Sequence, residues 1–214
     1  MHVRRVVAAL ATATLAGALT LVGAGSASAH EGSAPAPTGT RSLAAVLAQD
    51  GSGFDRNWND FDIVDNAVQA VLAAKPSSPV AVLADGSVPL TAFLPTDAAF
   101  RRLATDLTHQ QYTSESAVFA AVASLGIDTV EAVLLYHVVP GATIDYRAAR
   151  AADGAELTTA SGGTLTVDVR WHRWVTLVDA DPNDANAWVV RPNINKGNVQ
   201  IAHGISQVLR PVDL

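Results

Sequence analysis

The chain has 214 residues, of which 49% are apolar and 16% charged; its formal net charge is −6 and it has no cysteine. That composition excludes a disulfide scaffold, thiol catalysis and a thiolate metal site, and it is too apolar for a chain disordered throughout. With 14 basic residues against 20 acidic ones, the chain lacks the clustered Lys and Arg that a primary role on nucleic acid or an anionic membrane requires.

Arg4 and Arg5 open the chain, a run of small and apolar residues follows to Gly25, and Ala27-Ser28-Ala29 offers a small-x-small cleavage pattern. Residues 1–29 are therefore expected to be an export signal, with His30 as the new N-terminus. A membrane anchor is the rival reading, because the apolar run approaches the length of a span. The small-residue end and the polar segment after it favour cleavage. The paired arginines suggest the twin-arginine route, but the residues around them match it poorly. No second long apolar run follows, so the mature protein is expected to be released, with no membrane span. Residues 30–40 (HEGSAPAPTGT) read as a flexible leader, and residues 41–214 as one domain.

The first half of that domain is mainly helical. Leu43, Val46 and Leu47 share one side of a short segment. Phe61, Val64, Val68, Val71 and Leu72 are spaced as a helix, with Asn59 or Asp60 as the expected cap and Pro76 as the stop. Leu90 to Leu94 reads as a short buried strand. Pro95-Thr96-Asp97 then opens a helix, with Thr96 capping, Asp97 in the positive first turn and Phe100, Leu103 and Leu107 as its stripe. Ser114 begins another helix that ends at Gly126, and Asp128 with Glu131 resembles a capping box for a helix through Leu135. The second half changes period. Leu165, Val167 and Val169 alternate with polar residues after the turn Ser161-Gly162-Gly163, and Val175 with Leu177, residues 187–191 and the run Val199, Ile201, His203, Ile205 supply further strands. Helices first and antiparallel strands later predict an α+β domain.

Tyr136-His137 lies near a helix end, with His137 on the apolar face set by Val130, Val133 and Leu134. A buried, hydrogen-bonded imidazole and a partner-binding surface are both open to it, and the helix-face argument favours the structural role. His203 shares the inward strand face and reads as structural. The two histidines have no nearby carboxylate in sequence, so no metal site is assigned to them. In Trp171-His172-Arg173-Trp174, continuing the strand would turn Trp171 inward and leave His172 and Trp174 outside with Arg170. An exposed Trp beside Arg and His suits a contact platform for a sugar, peptide or planar ligand, unless a loop covers it. Residues 179–184 resemble the start of a calcium loop but lack its Gly and its Glu, so a solvated turn is expected. Gly204-Ile205-Ser206 is no nucleophile elbow, and no phosphate-binding Gly loop occurs. No catalytic residue, metal or cofactor is assigned.

Three stretches together resemble the fasciclin domain family: Leu90-Thr91-Ala92-Phe93-Leu94-Pro95-Thr96-Asp97-Ala98-Ala99-Phe100, Leu134-Leu135-Tyr136-His137-Val138-Val139-Pro140-Gly141, and the closing segment with His203 and Val208-Leu209-Arg210-Pro211. The resemblance implies a wedge in which helices pack around an antiparallel β-sandwich, with Pro95, Thr96, Asp97, Phe100 and His203 as structural motif residues. It also implies a secreted adhesion or interaction module, of a bacterial single-domain type, rather than an enzyme. Its partner would be an extracellular protein or surface component. Because the Tyr-His region of animal relatives is associated with integrin binding, Tyr136 and His137 become partner-binding candidates beside His172 and Trp174. Ser206 departs from the family, which often has Asp there, and so do the Trp cluster, the acidic turn and the extended front of the domain. The alternative function is an extracellular carrier of an apolar small molecule, motivated by Trp171, Trp174 and Trp188.

Overall fold

The computed structural model describes residues 39–49, 51 and 53–212. The expected export signal lies outside the described residues, as does the leader apart from Gly39 and Thr40. Gly39 is not free: it bridges Asn198, donates to the Gly197 carbonyl and accepts from the Val199 amide. Among the described residues, pairing thus already includes Gly39, two residues before the expected domain start.

Among the described residues there are six α-helices, one 3-10 helix and seven strands. They run α1 (Leu43–Leu47), α2 (Asp62–Ala74), the 3-10 helix (Pro79–Ala84), β1 (Leu90–Pro95), α3 (Asp97–Thr108), α4 (Glu115–Ala123), α5 (Ile127–Tyr136) and β2 (Val138–Pro140). Then follow α6 (Tyr146–Ala151), β3 (Glu156–Thr158), β4 (Thr164–Arg170), β5 (Trp174–Val178), β6 (Ala187–Ile194) and β7 (Gln200–Ile205). The α+β class and the helix-first order are as expected, but the sandwich is not. The strands form one seven-stranded sheet in the order β2-β1-β7-β6-β5-β4-β3. Every pairing is antiparallel except β1 with β7, which run parallel in the register Leu90 with Gln200 through Pro95 with Ile205. Two register shifts in β6, at Val189–Arg191 and Arg191–Ile194, bend that strand. The sheet curls until its edges approach: the Ala160 amide, just past β3, donates to the Val138 carbonyl of β2. A nearly closed barrel replaces the expected pair of sheets.

Strand alternation at β1 then serves two interiors. Leu90, Ala92 and Leu94 face the helical cluster with Ile63, Val68, Phe100, Val118 and Val133. Phe93 faces the other way, into a cluster with Leu165, Val175, Leu177, Val189 and Ile205 from the curled strands. All six residues of β1 and all six of β7 are buried. Buried polar groups must therefore be satisfied internally. Gln200 shows how. Its side-chain oxygen accepts from Leu43 N at 2.8 Å, and its amide nitrogen donates to the Val82 and Asp85 carbonyls at 2.8 and 2.7 Å. One side chain of β7 thereby holds both α1 and the 3-10 helix against the sheet.

Caps explain the helix starts, with two corrections. Thr96 and Ser114 cap α3 and α4 as expected, accepting from Ala99 N and Ala117 N. Helix α2, however, is capped by neither Asn59 nor Asp60. Phe61 occupies its N-cap position, and the free amides of Asp62 and Ile63 donate to the Asp97 carboxylate of α3 at 3.2 and 2.9 Å. Likewise α5 starts at Ile127 behind Gly126 (φ 89°) with no side-chain cap, because Asp128 and Glu131 turn to Lys75 instead.

Replacing Gln200 by Leu removes three hydrogen bonds and leaves Leu43 N without a partner in the interior, while Val82 O and Asp85 O keep their bonds from Asp85 N and Val88 N. Chemical denaturation is expected to show a loss of about 2–4 kcal/mol, with the sheet itself retained by circular dichroism.

Candidate functional site

Tyr136 and His137 end α5, and both are buried, at 1% and 4% exposure. The Tyr136 hydroxyl donates to the Thr164 carbonyl at 2.8 Å, and its ring lies over Gly163, where a Cβ would stand 2.6 Å from the ring. That contact explains the second glycine of the Ser161-Gly162-Gly163 turn, while Gly162 supplies the left-handed φ of 87°. His137 is bonded at both ring nitrogens. Nε2 accepts from the Leu209 amide at 2.9 Å, so the proton sits on Nδ1, which donates to the Val133 carbonyl at 2.7 Å. Burial pushes this imidazole down to about 4. His203 is arranged in the same way: Nδ1 accepts from Asn193 N, Nε2 donates to the Ile144 carbonyl at 2.8 Å, and burial lowers its pKa. Neither histidine has a ring nitrogen left over for a metal ion. The Tyr-His pair expected as a partner-binding candidate therefore lies inside the fold, tying α5 to the returning C-terminal segment.

The acidic turn is a solvated loop only in part, with Ala180, Pro182 and Asn183 exposed. Asp181 is 2% exposed and Arg210 4%. The Arg210 guanidinium reaches Asp106 at 2.8 Å, Asp184 at 3.1 Å and Asp181 at 3.3 Å, while its backbone amide donates to Asp179 at 2.7 Å. The turn's charge is thus the counterion of one buried arginine. Spacing along the chain cannot show this, because the partners come from three separated segments.

The Trp cluster is placed differently from its expected strand continuation. Strand β4 ends at Arg170, which pairs with Trp174, and residues 171–173 form the hairpin tip. Trp171 and His172 adopt left-handed φ values of 50° and 56°, a strained conformation for such large side chains. The tip is held from α6: Arg150 donates to the His172 carbonyl at 2.7 Å, and the Tyr146 hydroxyl donates to the Arg173 carbonyl at 3.0 Å. Trp171 consequently points outward at 83% exposure, where an inward ring was expected. His172 is exposed, as its assignment as a candidate requires. On the outer face of β5 and β6, Trp174 (41% exposed) meets Trp188 (52% exposed) at 6.4 Å between ring centroids, with Val190 beside them on β6 and Arg173 over the Trp174 ring at 5.4 Å. Trp188 was not among the partner-binding candidates. The signal was its neighbour Ala187 on the inward face, which by alternation puts Trp188 outside.

Pro95 ends β1, Thr96 caps α3, Asp97 and Phe100 lie on α3, and His203 lies within β7 opposite Phe93; all are buried. A comparison with protein families decides the assignment: the fasciclin domain matches residues 65–211. The chain belongs to the fasciclin domain family. Fasciclin domains typically serve cell adhesion and extracellular interaction and are typically not enzymes. Among solved structures, a FAS1 domain pair from the insect cell adhesion molecule Fasciclin I is similar at 15% identity and a TM-score of 0.43. The match covers 69% of this chain and 43% of that one. A comparison with curated proteins finds no match.

His137 has an ordinary pKa of 6.5 in the unfolded chain and about 4 in the fasciclin domain. Its stabilisation is therefore present above pH 6.5 and lost as pH falls towards 4, when only the unfolded state takes up the proton. The size is roughly 3 kcal/mol. In His137→Ala, stability at pH 7 is expected to fall by about 2–4 kcal/mol from two lost hydrogen bonds and a void. The difference between wild type and variant should shrink from pH 6.5 to pH 4 in urea unfolding curves.

Proposed function

We propose that this fasciclin domain is a secreted interaction module. It binds an extracellular protein or surface component through the outer face that carries Trp174 and Trp188, together with the adjoining hairpin tip that bears Trp171. The observation that carries the reading is that exposed tryptophan face. Trp174 and Trp188 present large, rigid apolar area at low conformational cost, and Arg173 adds a cation over one ring. A strained hairpin tip pinned by α6 keeps Trp171 and His172 presented before any partner arrives. The family's adhesion role and the cleavage pattern of residues 1–29 support the extracellular setting, and the acidic net charge argues against nucleic acid as the partner. Tyr136 and His137 contribute indirectly, by fixing the fold.

The carrier reading rested on the same tryptophans. At 83%, 41% and 52% exposure they stand open to solvent rather than enclose a ligand, so the interaction reading is preferred.

The test uses purified protein on whole cells and on isolated envelope and matrix fractions. Trp174→Ala and Trp188→Ala are each expected to weaken binding about 10-fold or more, as buried aromatic contacts do, with melting temperatures close to wild type. Undiminished binding in both variants would remove this face from the reading.

A further inference from the structure

The loop before α2 and the first turns of α3 and α4 bring three carboxylates together in the interior. Asp60 is 4% exposed, and Asp97 and Glu115 are fully buried. One oxygen from each lies within 4.8 Å of the others. That separation is what a single shell allows: two oxygens on opposite sides of an ion at about 2.4 Å stand about 4.8 Å apart. No basic side chain answers the charge. Among the described residues, no Lys or Arg forms an ion pair with Asp60, Asp97 or Glu115.

Hydrogen bonds orient the group without completing it. Glu115 Oε2 accepts from the Asp55 amide at 2.7 Å, and Asp97 accepts from Asp62 N and Ile63 N. Asp60 Oδ1 and Glu115 Oε1 are buried with no hydrogen-bond donor in the protein. Such bare carboxylate oxygens are costly inside a fold unless a cation or proton meets them. Asp55 and Asp62 form a second close group around the same Glu115, so further oxygen donors stand alongside. The donors are all hard oxygens, in an irregular arrangement drawn from a loop and two helix starts. That suits Ca²⁺, which accepts irregular shells of six to eight oxygens completed by water, better than Mg²⁺, which demands a near-ideal octahedron.

We propose that Asp60, Asp97 and Glu115 form a Ca²⁺-binding site that ties the loop before α2 to the first turns of α3 and α4. The site is remote in role from the tryptophan face and does not depend on the partner proposed above. It is a structural site, comparable in expected affinity to extracellular calcium modules, with a dissociation constant on the order of 10⁻⁴–10⁻³ M.

Calorimetric titration of the EDTA-treated protein with CaCl₂ should show saturable binding. Millimolar CaCl₂ should raise the melting temperature by roughly 2–6 °C. Glu115→Gln and Asp60→Asn should melt no lower than wild type in EDTA, since each removes a bare buried charge, yet lose the calcium response. No heat of binding and no shift in the wild type would overturn the proposal. So would an equal shift from NaCl at matched ionic strength, or a response kept in both variants. A melting temperature that moves with pH but not with Ca²⁺ would also overturn it, and would leave a proton shared between Asp60 and Asp97 as what relieves the charge.

Discussion

The parallel pairing of β1 with β7 is the constraint on which the rest of this fold depends. Both strands are buried along their whole length, so water satisfies none of their backbone groups, and the ladder between them has to be complete. The polar side chains they carry are consumed internally as well. Thr91 donates to the Ala142 carbonyl and accepts from Ile144 N, Gln200 holds α1 and the 3-10 helix, and His203 bridges Asn193 to Ile144. A parallel pair cannot be closed by a tight turn. The connection between them is long and holds α3 to α6, β2 and the β3-to-β6 meander.

From that pair the two interiors follow. One face of β1 receives α2 to α5, and the other receives Phe93 and the curled strands β4 to β6. The chain after β7 then closes the structure. Leu209 is received by His137, and Arg210 enters a ring of acids from α3 and the β5–β6 turn. Strands β5 and β6 carry no core duty on their outer face, and there Trp174 and Trp188 stand exposed. The proposed binding residues and the stabilising ones are separated in space: Pro95, Thr96, Asp97, Phe100 and His203 are buried, and the residues proposed to meet a partner are exposed.

What could be read in the sequence was what depends on neighbours along the chain. The run Leu90 to Leu94 gives β1, Thr96 and Ser114 cap the helices they precede, and the alternation of Leu165 and Val167 gives β4, because each signal lies within a few residues. The fold family was legible from three ordered stretches. What escaped depends on partners far away. Asp97 belongs to α3 but caps α2, Asp128 serves Lys75 rather than its own helix, and the acids near Asp181 exist for Arg210. The tip at Trp171 escaped for another reason: a hairpin turn without glycine, held in left-handed conformations by contacts from α6, carries none of the usual turn residues. The parallel pairing also hid, since alternation shows which face is inward but not the direction of the neighbouring strand.

Native-state hydrogen exchange on the intact protein tests the central place of the β1–β7 pair most directly. Backbone amides of Ala92, Leu94, Ile201 and His203, which face the partner strand of the pair, should be among the slowest to exchange, opening only with global unfolding, while those of the β4–β5 hairpin tip exchange through local opening. If the amides of β1 and β7 exchanged faster than those of β4 and β5, the pair would not be the element on which the fold is built.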